Sequence, residues 1–320
     1  MPPTSGPTIA PLLRQIGRGR DGSRALDRAQ ARELMDAILA QRVSDLELGA
    51  ALTALRMKGE TVDEIAGFID ASAAHTARVT ADRPCVVIPT YNGARLLPNL
   101  VPLLALQLAR DGVPVLLHGQ ASEPSGVRTA KTRLAARVTT LDVLTALGIA
   151  PCRTIDEVAA RWAAQQPAYV PLEVVSPALA RLIALRRVLG VRNVAHTLVK
   201  LLLPIAGPAV LLSCHTHAEF GTQLERWFAS ERVTALSMRG TEGEAVINPQ
   251  RPQPLDLWHD GVRLESVKVA ADAETAPCAI DAESTARWIR EALARDTMPR
   301  ALIAQAQAIH RLLDTMAVPA

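Results

Sequence analysis

The sequence predicts an α/β protein in two parts, a small all-helical region followed by a larger one built on a mainly parallel sheet. Three observations carry this expectation. Between residues 26 and 75 apolar residues recur at helical spacing among capping-box sequences. After Pro84 the pattern changes to short runs of Val, Ile and Leu alternating with helical stretches. At 320 residues, 49% hydrophobic and 21% charged, the chain can bury the core of one large or two modest domains, and its composition argues against disorder.

In LDRAQARELMDAILAQ, which begins at Leu26, residues Leu34, Met35, Ile38 and Leu39 share one helical face. Ser44–Asp45–Leu46–Glu47 is a capping box opening LELGAALTALRMK, and Gly59 stops it. Thr61–Val62–Asp63–Glu64 opens the next helix in the same way. CVVI (85–88) and VPVLLHG (113–119) read as strands around the helix PNLVPLLALQLARDG, which makes a βαβ unit. A polar loop, QASEPSGVRTAKTRLAAR (120–137), leads to the helix TTLDVLTALG. Thr154–Ile155–Asp156–Glu157 is expected to cap another helix, and YVPLEVV (169–175) to form a buried strand. Residues 178–200 read as helical and basic, AVLLSC (209–214) and VTALSM (233–238) as further strands. Antiparallel strands and loops are expected over 246–280, then two closing helices, DAESTARWIREALARD and ALIAQAQAIHRLLD.

Only 3% of residues are aromatic, so the core has to be built from Leu, Val, Ile and Ala. Cys85, Cys152, Cys214 and Cys278 are scattered without a CxxC pair, which predicts reduced thiols in a cytoplasmic protein. The first twenty residues lack the continuous apolar stretch of a signal peptide. VKLLLPIAGPAVLL (199–212) is broken by Lys200 and prolines and is too short to span a bilayer, so no membrane partner is expected.

The net charge of +3 conceals an uneven distribution. Residues 84–200 hold 13 Lys/Arg against 6 Asp/Glu, whereas residues 201–320 hold 11 against 15. No acid occurs between Glu173 and Glu219, while Arg181, Arg186, Arg187, Arg192 and Lys200 all do. This predicts a positive surface with an anionic partner; arginines paired with acids distant in the sequence would give the same count. The 120–137 loop adds Arg128, Lys131, Arg133 and Arg137 against Glu123 alone.

PTYNG (89–93) sits between a strand and a helix, where α/β enzymes seat phosphate on backbone N–H groups. It has a single glycine, Gly93; Pro89 offers no N–H, and Tyr91 stands where a small residue is expected. Either it is a plain turn bent at Asn92–Gly93, or Tyr91 and Asn92 contact a ligand. Cys214–His215–Thr216–His217 brings soft donors together, yet third and fourth metal ligands are not identifiable. No Ser-His-Asp order, Walker loop or GxGxxG fingerprint is present, and no catalytic or metal residue is assigned.

The stretch RELMDAILAQRVSDLELGAALTALRMKGETVDEIAGF (32–68) resembles the N-terminal helical domain of the anthranilate phosphoribosyltransferases. VPVLLHG, DVLTALGI (142–149) and RRVLGVRN (186–193) continue the resemblance in the same order, over roughly residues 25–315. It implies the anthranilate phosphoribosyltransferase or nucleoside phosphorylase-like fold. Residues 1–80 and about 176–203 would form the small α domain, through which members dimerise. Residues 81–175 and about 204–320 would form the α/β domain. The family's GTGGD loop falls on Pro89, Thr90, Tyr91, Asn92 and Gly93; in its KHGN motif Leu117 and Gln120 replace the lysine and asparagine, leaving His118 and Gly119. Its magnesium-binding Asp-Glu pair falls on Gly243 and Glu244, and Arg186 falls where the enzymes place the arginine facing the anthranilate carboxylate.

IPTYNGAR (88–95), GVRNVAHTLVK (190–200) and GTEGEAVINPQR (240–251) are similar to the YbiB branch of the family, which the resemblance links to nucleic-acid binding. The expectation is a homodimer that binds single-stranded nucleic acid without sequence preference, its diphosphate site dismantled. Arg186, Arg187, Arg192, Lys200, Arg128 and Lys131 would contact phosphates. A degenerate substrate cleft would hold Thr90, Tyr91, Asn92, Gly93, His118, Gly119, His196 and Glu244, with Tyr91 offering a stacking face. The alternative is a glycosyl or phosphoribosyl transferase with an unknown acceptor. Magnesium enters only with that alternative; otherwise no cofactor is expected.

Overall fold

The structure is a computed structural model that describes residues 8–19, 21–120, 137–271 and 280–317. The chain forms two compact units, Met1–Ala77 with Ser176–Leu202, and Arg78–Val175 with Leu203–Ala320.

The first unit begins with α1 (Ala10–Ile16), α2 (Arg28–Leu39), α3 (Asp45–Lys58) and α4 (Val62–Ala74). Ser44 and Thr61 form the expected capping boxes, and Asp27 with Gln30 forms a third. Glu64 does more than cap. Fully buried, its Oε2 accepts the Thr61 N–H (2.8 Å) and Lys58 Nζ (2.6 Å), while Oε1 accepts the Leu26 N–H (2.9 Å), tying α4 to the entry of α2. The apolar face foreseen in α2, Leu34, Met35, Ile38 and Leu39, is buried, and α2 packs along α4.

The second unit follows with β1 (Val79–Thr80), β2 (Cys85–Pro89), α5 (Val101–Arg110), β3 (Val115–Gly119), α6 (Thr140–Ala146), α7 (Glu157–Ala163), β4 (Ala168–Pro171) and α8 (Leu172–Val175). Two sequence expectations change here. Asp156, not Thr154, is the N-cap of α7 and makes no side-chain cap; Glu157 Oε2 instead accepts the Arg153 N–H (3.0 Å). YVPLEVV is half strand and half one-turn helix, since a proline at 171 cannot donate to the ladder and pairing ends there.

The chain then returns to the first unit as α9 (Pro177–Ala184), α10 (Arg186–Leu189) and α11 (Ala195–Leu198). The expected basic helix is therefore three short ones, with Gly190 left-handed (φ +72°) as the cap of α10. Back in the second unit come β5 (Ile205–Ala206), β6 (Ala209–His215), α12 (Ala218–Glu231), β7 (Ala235–Arg239), β8 (Leu255–His259), β9 (Val262–Val267), α13 (Ala282–Arg295) and α14 (Arg300–Ala317).

The main sheet has the order β4-β3-β2-β6-β7-β8-β9; the β7–β8 and β8–β9 pairs are antiparallel and the rest parallel, as the expected mainly parallel sheet requires. β1 and β5 make a separate parallel pair. From β2 the chain crosses through α5 to β3 on one side, and from β6 through α12 to β7 on the other. The order therefore reverses between β2 and β6, the position where loops at strand carboxyl ends open a crevice. Leu212, Cys214, Leu236, Met238, Leu255 and Leu257 join residues of α5, α13 and α14 in one core, and α12 packs on β6 and β7. Cys85, Cys152 and Cys214 are buried thiols, and burial pushes the Cys85 thiol up to about 12. Among the described residues no helix is long and apolar enough to cross a membrane.

Candidate functional site

β2 is buried along its length, and the chain leaves it through Thr90, Tyr91, Asn92 and Gly93, all buried. The Thr90 N–H donates to the His118 carbonyl (2.8 Å) and so extends the β2–β3 ladder. His118 is itself fully buried at the end of β3. Gly119 admits no side chain, because a Cβ there would stand 2.1 Å from the Thr90 carbonyl oxygen. Gly93 takes φ +68° and turns the chain so that Ala94 and Val138 exchange both backbone hydrogen bonds (2.9 and 2.8 Å).

Opposite the loop lies the turn that leaves β7. Glu242 is left-handed (φ +52°), a conformation that costs about 1–2 kcal/mol for a residue with a side chain. This turn delivers two carboxylates. Glu244 Oε1 accepts the N–H groups of Asn92 (2.8 Å) and Gly93 (2.5 Å). Glu242 Oε1 accepts those of Leu96 and Leu97 (2.7 Å each), and its Oε2 that of Arg95 (3.0 Å). The Asn92 side chain donates to the Glu242 carbonyl. Arg137 Nη1 donates to the Gly93 carbonyl (2.7 Å) and lies 3.8 Å from the Glu242 carboxylate.

The turn is held from behind by Cys214, whose thiol donates to the Gly243 carbonyl (3.2 Å). Gln305, also buried, donates to the Ala245 carbonyl (3.1 Å) and accepts the Ile247 N–H (2.9 Å). Five backbone N–H groups thus converge on anions as they would in a phosphate nest, but the anions belong to the chain itself. Beneath the loop the Tyr169 hydroxyl donates to the Gln120 carbonyl (3.0 Å); burial raises its pKa, and the Glu244 charge adds to the rise.

Several site expectations change. Tyr91 is only 6% exposed, so it presents no stacking face. Arg137, grouped by sequence with the basic loop, instead braces the PTYNG turn. Arg128, Lys131 and Arg133 lie outside the described residues. The donors around the loop do not fit magnesium as arranged: both glutamates are engaged by N–H groups, and among the described residues no three His, Cys, Asp or Glu side chains gather as a metal site. Glu242 escaped sequence reasoning; GTEGEA signals a tight turn, but nothing local says which loop it meets.

In the first unit the charges of Arg192, Arg186 and Arg56 act on His196. Arg187 is exposed, while Arg186, Arg192 and Lys200 are half-buried. Asn193 fixes the entry to α11, its Nδ2 donating to the Leu182 carbonyl (2.7 Å) and its Oδ1 accepting the Ala195 N–H (3.0 Å). His196, expected to share a helix face with Lys200, is 6% exposed and turned inward; α11 ends at Leu198, before Lys200. Its pKa is lowered to about 3, first by burial, then by the Arg192 charge, with Arg186 and Arg56 adding to the effect. Arg56, on α3, is a member of the cluster that the sequence did not reveal. Arg181 is committed elsewhere, its Nη2 donating to the Ile38 carbonyl (2.8 Å).

The helical bundle domain of the glycosyl transferase family matches residues 10–76. The uncharacterized protein YbiB of Escherichia coli strain K12 is 40% identical over 289 residues, 88% of this chain and 87% of that protein. The anthranilate phosphoribosyltransferase of Methylobacterium radiotolerans is 35% identical over 196 residues, 59% of this chain and 50% of the enzyme. Among solved structures, anthranilate phosphoribosyltransferase from Saccharomyces cerevisiae in complex with PRPP and Mg superposes with a TM-score of 0.72 at 15% identity, over 96% of this chain and 89% of that one. The last match speaks to fold alone. The chain belongs to the YbiB family, homologous to the anthranilate phosphoribosyltransferases and built on their fold.

Proposed function

We propose that the protein binds nucleic acid, single strands in preference, through their phosphates, and that its former diphosphate loop no longer takes a free ligand. The observation that supports this is that the charges of Arg192, Arg186 and Arg56 all bear on the buried His196, while Arg187, next to Arg186 in the chain, is exposed. The segment between Glu173 and Glu219 carries five Lys/Arg and no acid between its ends, a charge balance that suits an extended anion. With Tyr91 buried, affinity comes from charge rather than stacking. The loop supports the reading from the other side, since Glu242 and Glu244 fill the N–H groups a diphosphate needs. The same reading includes a cytoplasmic homodimer; Leu46 and Met57, each 83% exposed on α3, offer apolar surface for it.

A second reading, a glycosyl or phosphoribosyl transferase with an unknown acceptor, is favoured by the relatives, since those with a named activity include anthranilate phosphoribosyltransferases. It requires both glutamates to withdraw from the loop. Fluorescence anisotropy of a labelled single-stranded oligonucleotide across a salt series tests the first reading. Neutralising about five phosphates gives a slope of log K on log salt of about −3.5. Arg187→Glu with Lys200→Glu should weaken binding at least about tenfold while leaving the melting temperature in place. No binding at low salt would overturn the reading. A rise in melting temperature with phosphoribosyl diphosphate and magnesium would move the assignment to the transferase.

A further inference from the structure

On β6 to β9 the two faces of the sheet differ in kind. One carries Leu212, Cys214, Leu236, Met238, Leu255 and Leu257 into the core. The other is apolar at Leu211, Ala235 and Trp258 and turns polar toward the carboxyl ends of β6 and β7, with Ser213 and His215 on β6, Ser237 and Arg239 on β7, Asp256 on β8 and Ser266 on β9. These are neighbours in register: His215 pairs with Arg239, Ser213 with Ser237, Ser237 with Asp256, and Asp256 with Ser266. A polar stripe forfeits the packing that apolar residues would give on a strand face, and Ser213, 1% exposed, has no hydrogen-bond partner for its hydroxyl among the described residues. The stripe leads into a cavity of about 510 Å3 at the carboxyl ends of β6 and β7, lined by His215, His217, Arg239, Gln253, Asp256 and Ser266 among others.

We propose that this cavity is a ligand site for a small phosphomonoester that also carries hydroxyl groups. Arg239, with His215 and His217, takes the phosphate, and Asp256, with Ser266, takes the hydroxyls. Both halves of the ligand follow from the charges. Arg239 is exposed and, among the described residues, forms no ion pair, although Asp256 lines the same cavity. A guanidinium in that position has its planar fork available for phosphate oxygens. An ionised Asp only accepts hydrogen bonds, so a bare anion would be repelled by Asp256 and a ligand with O–H donors would be held. The volume suits a small metabolite. His215 closes one wall: a Cβ at Gly221 of α12 would stand 3.0 Å from its Nε2, so the glycine lets the imidazole seat against the helix. None of these residues belongs to the arginine cluster or to the PTYNG loop, and the inference stands apart from nucleic-acid binding.

Isothermal titration of the full-length protein with glycerol 3-phosphate, AMP and inorganic phosphate tests it. One of the two organic phosphates should bind, and Arg239→Ala should weaken that binding at least about tenfold. Asp256→Asn should weaken the organic phosphate but leave inorganic phosphate unchanged or tighter. Arg187→Glu should change neither. His217→Ala, at an exposed position, gives a second variant that keeps the fold and should also weaken binding. Absence of heat with all three probes at millimolar concentration, or equal affinity in Arg239→Ala, would overturn the proposal.

Discussion

Glu242 shows how much one side chain can decide. Its carboxylate accepts three consecutive N–H groups, Arg95 to Leu97, from a backbone conformation that is itself unfavourable. Charge-assisted bonds of this kind contribute about 1.5–3 kcal/mol each before the cost of the left-handed residue is subtracted. Truncation at this half-buried position leaves N–H groups that water can reach in part, so the loss is smaller than in a closed core. Glu242→Ala should lower stability by about 1–3 kcal/mol in urea unfolding. The same variant exposes an anion nest of three donors. Its melting temperature should then rise with added sulfate beyond any rise in the parent protein. An equal response in both proteins would mean that Glu242 does not occupy the nest in solution.

At the scale of elements, the basic segment is organised by where helices stop. Gly190 caps α10 in the left-handed conformation, its N–H donating to the Arg186 carbonyl (2.9 Å), and the chain turns there between Arg186 and Arg192. A Cβ there meets nothing within 4 Å, so the cost of a substitution is conformational rather than steric. Gly190→Ala should therefore destabilise by about 1 kcal/mol and weaken oligonucleotide binding as Arg186 and Arg192 lose their relation. Gly190 is visible in the sequence as a break; the second break, at Leu185, is not, because leucine favours helix and no local residue marks the interruption. The same contrast runs through the fold. Ser44 and Thr61 announce α3 and α4 because a capping box is complete within four residues. β2, β3, β6 and β7 are legible because their apolar runs are local. Glu242 reaching Leu97 across 145 residues is a tertiary event with no local signature, and so is Arg56 joining Arg186 and Arg192.

For the molecule as a whole, the arginine cluster couples folding to pH through His196. The group is buried and neutral with its pKa lowered to about 3 from the ordinary 6.5, because burial and then the charges of Arg192, Arg186 and Arg56 oppose protonation, while only the Asn193 backbone favours it. The unfolded chain therefore binds a proton near pH 6.5 that the native chain refuses until near pH 3. Stability from this site is complete above about pH 6.5 and falls as pH drops, by about 1.4 kcal/mol per unit, until the native pKa is reached. Carboxylates such as Asp281, held low by the Ser284 N–H, are lost only at the acid end of that range. Glu60, raised by burial, takes up its proton earlier and opposes the loss, so the part of the loss between pH 6.5 and 5 that vanishes with His196 is its mark. Urea unfolding followed by helical circular dichroism at pH 7.5 and 5.5 should show the helix-rich first unit weakening with acid. His196→Gln, which cannot take the proton, should flatten that dependence whatever its own stability at pH 7.5. A slope that survives the substitution would place the titrating group elsewhere. A nucleic-acid phosphate seated on the same arginines reverses part of the field, so bound oligonucleotide should reduce the slope in the parent protein and leave the His196→Gln protein unaffected.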